Sequence, residues 1–211
     1  MLIVVGGHSR NIGKTSVAAG IIAATREARW IAVKITQHGH GVCSANGEPC
    51  DCAAYEHPFA ISEETAPGDT DSGRFLEAGA ARSLWVRTAA GELGHAIPAL
   101  KELTGNLILE SNSALQFFQP DLYVMVLDFT VTDMKQSTRR YFDRADAFVV
   151  LHGEQPMPWD VPTRWIERKP VFRAEPPVWA PEGLIKMVRA IAARSAEPRA
   201  AGGRGPSREG R

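Results

Sequence analysis

The chain opens with a short apolar run, Leu2-Ile3-Val4-Val5, that stops at Gly6-Gly7. Mostly polar or small residues follow to Ser16, and Val17 to Ala24 then reads as a helix. Trp30 to Ile35 reads as a buried second strand carrying one Lys near its end. A polar, Gly-rich insertion spans residues 36–71. After it the pattern predicts a helix over Arg74 to Ala80, capped by Asp71 or Ser72, and a short strand from Ser83 to Arg87. A helix is expected from Gly91 to Leu103, despite Pro98, then strands at Asn106 to Glu110 and Leu122 to Asp128. Asp133 to Asp143 reads as a polar helix and Ala147 to Leu151 as a strand. Gln155 to Arg168 is Pro- and Trp-rich and reads as irregular. Pro170 to Phe172 reads as a last short strand, and Pro181 to Arg194 as an amphipathic helix with Pro181 in its first turn. Strands alternating with helices predict an α/β fold, a mostly parallel sheet with helices on both faces.

The junction between the first strand and helix carries the strongest chemical signal. Gly-Lys-Thr at residues 13–15 opens the helix, with Gly7 upstream, so the stretch reads G-x5-G-K-T. The phosphate-loop pattern is G-x-x-x-x-G-K-[ST], and its first glycine would fall at position 8, where this chain has His8. Backbone N–H groups at a helix N-terminus point at an anion, and the helix dipole favours negative charge there. Ser9, Arg10, Asn11, Ile12, Gly13, Lys14, Thr15 and Ser16 are therefore the candidate phosphate cradle. Lys14 would reach the β- and γ-phosphates, and the Thr15 hydroxyl would ligate Mg²⁺. Lys14 is also a candidate catalytic residue, with Asp71 and Glu110 as candidate catalytic and Mg²⁺-binding carboxylates. Ligands of open α/β sheets bind beyond the carboxyl ends of the strands, where Glu110 lies. The plainer readings are a helix cap for Asp71 and a solvated strand end for Glu110. Asp128 is the alternative carboxylate.

Composition narrows the class. The 211 residues suffice for one α/β domain, expected over 1–194, followed by a tail at 195–211 too poor in apolar residues to order itself. A formal net charge of zero gives no reason to expect nucleic acid or an anionic membrane as partner. No apolar run approaches membrane-spanning length, and the strand-like N-terminus lacks the features of a signal peptide, so a cytoplasmic location is expected.

The three cysteines argue against a disulfide framework. Cys43, Cys50 and Cys52 fall as C-x6-C-x-C inside the insertion, with His38, His40, Asp51 and His57 close by. Thiolates select zinc or iron–sulfur clusters, so Cys43, Cys50, Cys52 and His40 are the candidate ligands of Zn²⁺ or an Fe–S cluster. Three free thiols in a mobile loop is the plainer reading.

The G-x5-G-K-T spacing resembles dethiobiotin synthetase and the cobyrinic acid amide synthases. The segment from Asp71 to Ala80 reads D-S-x-R-x-x-x-A-G-A. It resembles the molybdopterin-guanine dinucleotide biosynthesis protein B family of P-loop NTPases. Lys34 followed by Gln37-His38-Gly39-His40, and Glu110 followed by Ser111-Asn112-Ser113, are similar to that family's Lys-His and Glu-Gly stretches. The resemblance covers about residues 1–150. It implies GTP or ATP binding with slow Mg²⁺-dependent hydrolysis, in support of molybdenum cofactor biosynthesis. It also implies molybdenum-cofactor proteins as partners and a homodimer. The other loop resemblance implies an ATP-dependent ligase. A third reading is a metal-responsive adaptor using nucleotide as a switch. No N-K-x-D stretch selects guanine. The base would be read by loops after the last strands, His152-Gly153-Glu154 and Arg173-Ala174-Glu175.

Overall fold

A computed structural model describes residues 1–38 and 58–196. It contains one eight-stranded sheet. Its strands are β1 (Leu2–Gly7), β2 (Ile31–His38), β3 (Phe59–Glu63), β4 (Arg82–Ala89), β5 (Leu107–Glu110), β6 (Leu122–Asp128), β7 (Ala147–Leu151) and β8 (Val171–Arg173). They are ordered β3-β4-β2-β5-β1-β6-β7-β8. All neighbours run parallel except β3, which pairs antiparallel with β4. The helices are α1 (Lys14–Ala24), α2 (Asp71–Glu77), α3 (Ile97–Lys101), α4 (Gln136–Tyr141), α5 (Arg164–Glu167) and α6 (Glu182–Ala196).

Strand alternation splits the core into two layers. In β6, Leu122, Val124 and Val126 face one side with α1, α2 and α6, packed among Val17, Ile21, Phe75, Leu184 and Val188. Tyr123, Met125 and Leu127 face the other, among Leu100, Tyr141 and Phe142. Parallel strands buried on both faces need continuous apolar runs, which β6 and β7 supply.

Several expectations are corrected. The insertion contributes an edge strand, β3, and β2 runs on to His38. The cap of α2 is Thr70, whose Oγ1 accepts from the Gly73 N–H, and Asp71 is the first helical residue. Glu92–Ala96 is a 3₁₀ turn, and α3 begins after it with Pro98 in its first turn. Proline has no N–H to give to a helix interior and is tolerated only at the start. Residues 133–135 are not helical, because the Asp133 carbonyl and the Lys135 N–H are bonded to His8. The tail residues 197–211 lie outside the described residues.

β5 lies between β1 and β2, and β6 on the far side of β1. The chain therefore switches sides at β1, and the crevice beyond that switch point is where such sheets bind ligands.

Candidate functional site

The loop after β1 turns back over the strand in two left-handed steps, Asn11 at φ 53 and Gly13 at φ 82. Ile12 between them is buried and anchors the loop in the core. Arg10 and Asn11 are exposed. The Ser9 hydroxyl donates to Asp133 Oδ2 at 2.7 Å, and Lys14 Nζ donates to the Ser9 carbonyl at 2.6 Å. Burial pulls the Lys14 ammonium down to a pKa of about 8, although Glu110 opposes the shift. Ser16 Oγ accepts from Arg74 of α2 at 3.0 Å, which ties the D-S-x-R segment to the loop.

Thr15, Glu110 and Asp71 converge. Thr15 Oγ1 donates to Glu110 Oε2 at 2.7 Å. Lys34 Nζ bridges Glu110 Oε1 at 2.6 Å and Asp71 Oδ2 at 2.7 Å, and stands 3.3 Å from Thr15 Oγ1. Glu110 is buried, so the plain reading of a solvated strand end is overturned. Strand register explains the meeting. Lys34 is the β2 partner of Glu110, and Glu110 is the β5 partner of Val5 next to the loop. Burial alone would lower the Lys34 pKa, but Glu110 and Asp71 outweigh it and the net shift is upward. Burial would raise Asp71, but the Lys34 contact outweighs it and the carboxyl is lowered. Two carboxylates and a hydroxyl are hard oxygen donors of the kind Mg²⁺ takes in phosphate sites. The residues therefore fit that ion.

Asp128 stands apart from this set. It accepts from the Thr130 N–H and hydroxyl at 3.0 and 2.7 Å and lies 3.0 Å from His152 Nδ1.

Three supports were invisible in the sequence. His8 is fully buried. Its Nδ1 lies 2.8 Å from the Asp133 carbonyl, and its Nε2 accepts the Asp128 N–H at 3.1 Å. Those partners require the neutral ring with the proton on Nδ1. Its ring lies 4.3 Å from that of Trp159, which also donates to the Thr132 carbonyl. Asn112 takes the Gly7 N–H on Oδ1 at 2.9 Å and gives its amide to the Gly7 carbonyl at 3.0 Å. A Cβ on Gly6 would lie 2.0 Å from Asn112 Oδ1, so only glycine fits there. Trp179 packs against Gly13. Two of the late tryptophans, Trp159 and Trp179, thus brace the loop. A contact pairing such as Asn112 with Gly7, 105 residues apart, leaves no local signal.

The proposed soft-metal ligands Cys43, Cys50, Cys52 and His40 lie outside the described residues. Among the described residues no cluster of three His, Cys, Asp or Glu side chains could hold a metal. No helix among them is long and apolar enough to cross a membrane.

A mostly parallel sheet whose β1 feeds a Gly-Lys-Thr loop into the first helix defines the P-loop NTPase fold class. No protein-family model matches the chain, and no curated protein matches it in sequence. Two solved structures share its general shape. LpxK from Aquifex aeolicus, the "apo" form in complex with ATP, is 17% identical with a TM-score of 0.47, over 82% of this chain and 53% of that one. The chain thus spans about half the length of LpxK. HypB from Helicobacter pylori, in complex with nickel, is 13% identical with a TM-score of 0.49, over 94% of this chain and 90% of that one. Neither likeness bears on function, so the site is read from its own geometry.

Proposed function

We propose that the chain binds a nucleoside triphosphate and catalyses Mg²⁺-dependent phosphoryl transfer or slow hydrolysis. The observation that carries this is the convergence of Thr15, Asp71 and Glu110 at the foot of a loop whose lysine points at its own backbone. Phosphoryl transfer asks the protein chiefly for positioning and charge. The loop N–H groups and Lys14 receive the phosphates. Thr15, Glu110 and Asp71 would hold Mg²⁺, which neutralises charge on the phosphate oxygens when bound. A surface cleft of about 410 Å³ lined by Arg173, Glu175, Pro176 and Val178 lies at the end of β8, where the base would be read. GTP and ATP are the ligands to test. The resemblance of the Asp71 segment favours a role in molybdenum cofactor biosynthesis as a homodimer. Lys34 at a strand end keeps an ATP-dependent ligase as the second reading.

Lys14→Ala should abolish triphosphate binding by calorimetry while the melting curve stays cooperative. Wild-type affinity in that variant would overturn the reading. Glu110→Gln and Asp71→Asn should slow turnover more than they weaken binding, the mark of groups acting mainly in the transition state.

A further inference from the structure

The three oxygen groups suited to a divalent cation already hold a cation of the chain's own. Lys34 Nζ lies 2.6 Å from Glu110, 2.7 Å from Asp71 and 3.3 Å from Thr15 Oγ1. The two carboxylate contacts are charge-assisted and at the short end of their range. Glu110 is nearly inaccessible, with 2% of its side chain exposed, so water does little to screen the pair. We propose that Lys34 is an internal counter-cation which must leave the carboxylates before a divalent cation can bind, so that metal enters only together with an anionic phosphate ligand.

The charge balance supports this. Lys14 and Lys135 both feel Glu110, and Lys135 also feels Arg10 and Lys34. Against these four cations stand Asp71, Glu110 and Asp133. A free dication approaching Thr15 therefore meets a site that is already neutralised. Mg²⁺ is reluctant to shed its waters and depends on several anionic oxygens, which two engaged carboxylates do not supply. Incoming phosphates change the balance. They engage Lys14, add negative charge beside Lys34, and give its ammonium a new partner. The four-carbon lysine stem lets that ammonium swing away without moving β2. Lys34 so becomes a positioning residue with two posts: the carboxylates first, the bound anion afterwards. A protein built this way does not trap metal while empty.

The inference borrows only the identity of the ion from the proposed function, and its test can be read on metal alone. The probe is Mn²⁺, followed by its paramagnetic resonance signal. Wild-type protein without nucleotide should bind it weakly. Lys34→Met should bind it roughly tenfold tighter or more, because one unit of nearby positive charge is gone. Lys34→Arg, which keeps the charge, should behave as wild type. Adding a non-hydrolysable nucleoside triphosphate should raise the wild-type affinity toward that of Lys34→Met. Glu110→Gln placed on Lys34→Met should abolish the gain. If Lys34→Met fails to fold, Lys34→Gln, which keeps a donor toward Glu110, carries the same expectation. Equal Mn²⁺ affinities in wild type and the neutral variants, without nucleotide, would overturn the proposal. A wild type that never binds triphosphate would instead sink the nucleotide reading and leave the metal comparison standing.

Discussion

His8 stands where the phosphate-loop pattern has glycine, and its ring is used as a strut. It fastens the loop to the Asp128 N–H and to the Asp133 carbonyl. Burial lowers its pKa below the ordinary value of 6.5. Only the neutral ring can accept from Asp128, so the folded state disfavours the proton that the unfolded chain takes up. The stabilisation is complete above about pH 6.5 and is lost progressively as the pH falls from there toward the lower folded value. Wild-type stability, measured by denaturant unfolding between pH 7 and 5, should therefore decline, and His8→Gly should flatten that decline. The same variant should cost about 3 kcal/mol at pH 7, from a cavity beside Trp159 and two stranded backbone groups. Lys14 supplies a second pH effect of opposite consequence. With its pKa near 8, triphosphate binding above that pH must first restore the proton. Affinity should fall by up to about tenfold per unit between pH 8 and 10, with proton uptake visible as a buffer-dependent binding enthalpy. Lys14→Arg should not show the fall.

The elements differ in how plainly the sequence announced them. β6 and β7 were legible to the residue, because a strand buried on both faces is an unbroken apolar run between polar stops. The start of α1 was legible because Gly-Lys-Thr specifies a turn and a helix opening together. The short segments were not. Before α4, helix-compatible residues have backbone groups claimed by His8, and after Gly91 a proline confines the α-helix to a late start. The edge strand β3 alternates only weakly and was hidden in a polar insertion. Of the candidate site, Thr15 was proposed from the Gly-Lys-Thr pattern, Asp71 from a helix start and Glu110 from a strand end, whereas His8, Asn112 and Trp179 act across long separations. Asn112 links the turn after β5 to the end of β1, so the loop depends on an element far away in sequence. Asn112→Ala should leave the Gly7 N–H buried without its acceptor, while the Gly7 carbonyl keeps only the Thr138 hydroxyl. The expected loss is about 2–3 kcal/mol, with faster amide exchange at Gly7 by NMR and weaker triphosphate binding.

At the scale of the molecule, the α/β class followed from strands alternating with helices, and the sheet order places the loop at its switch point. The Cys-rich stretch belongs to the same scale, since it lies between β2 and β3 in sequence. Protein purified without chelator should carry about one zinc per chain, or an iron–sulfur chromophore under anaerobic preparation, lost when Cys43, Cys50 and Cys52 are changed to Ser. Elemental analysis showing no metal in reduced wild-type protein would exclude that centre.

The pairing of Lys34 with Glu110 has a consequence for assembly. The two residues are direct register partners across β2 and β5, in the middle of the sheet. A slip of one residue between those strands would turn one of them to the opposite face. Each charge would then be buried without its partner, at a cost of several kcal/mol. Uniformly apolar strands such as β6 carry no such penalty for sliding. The ion pair therefore acts as an alignment key, rejecting misthreaded sheets as the chain folds.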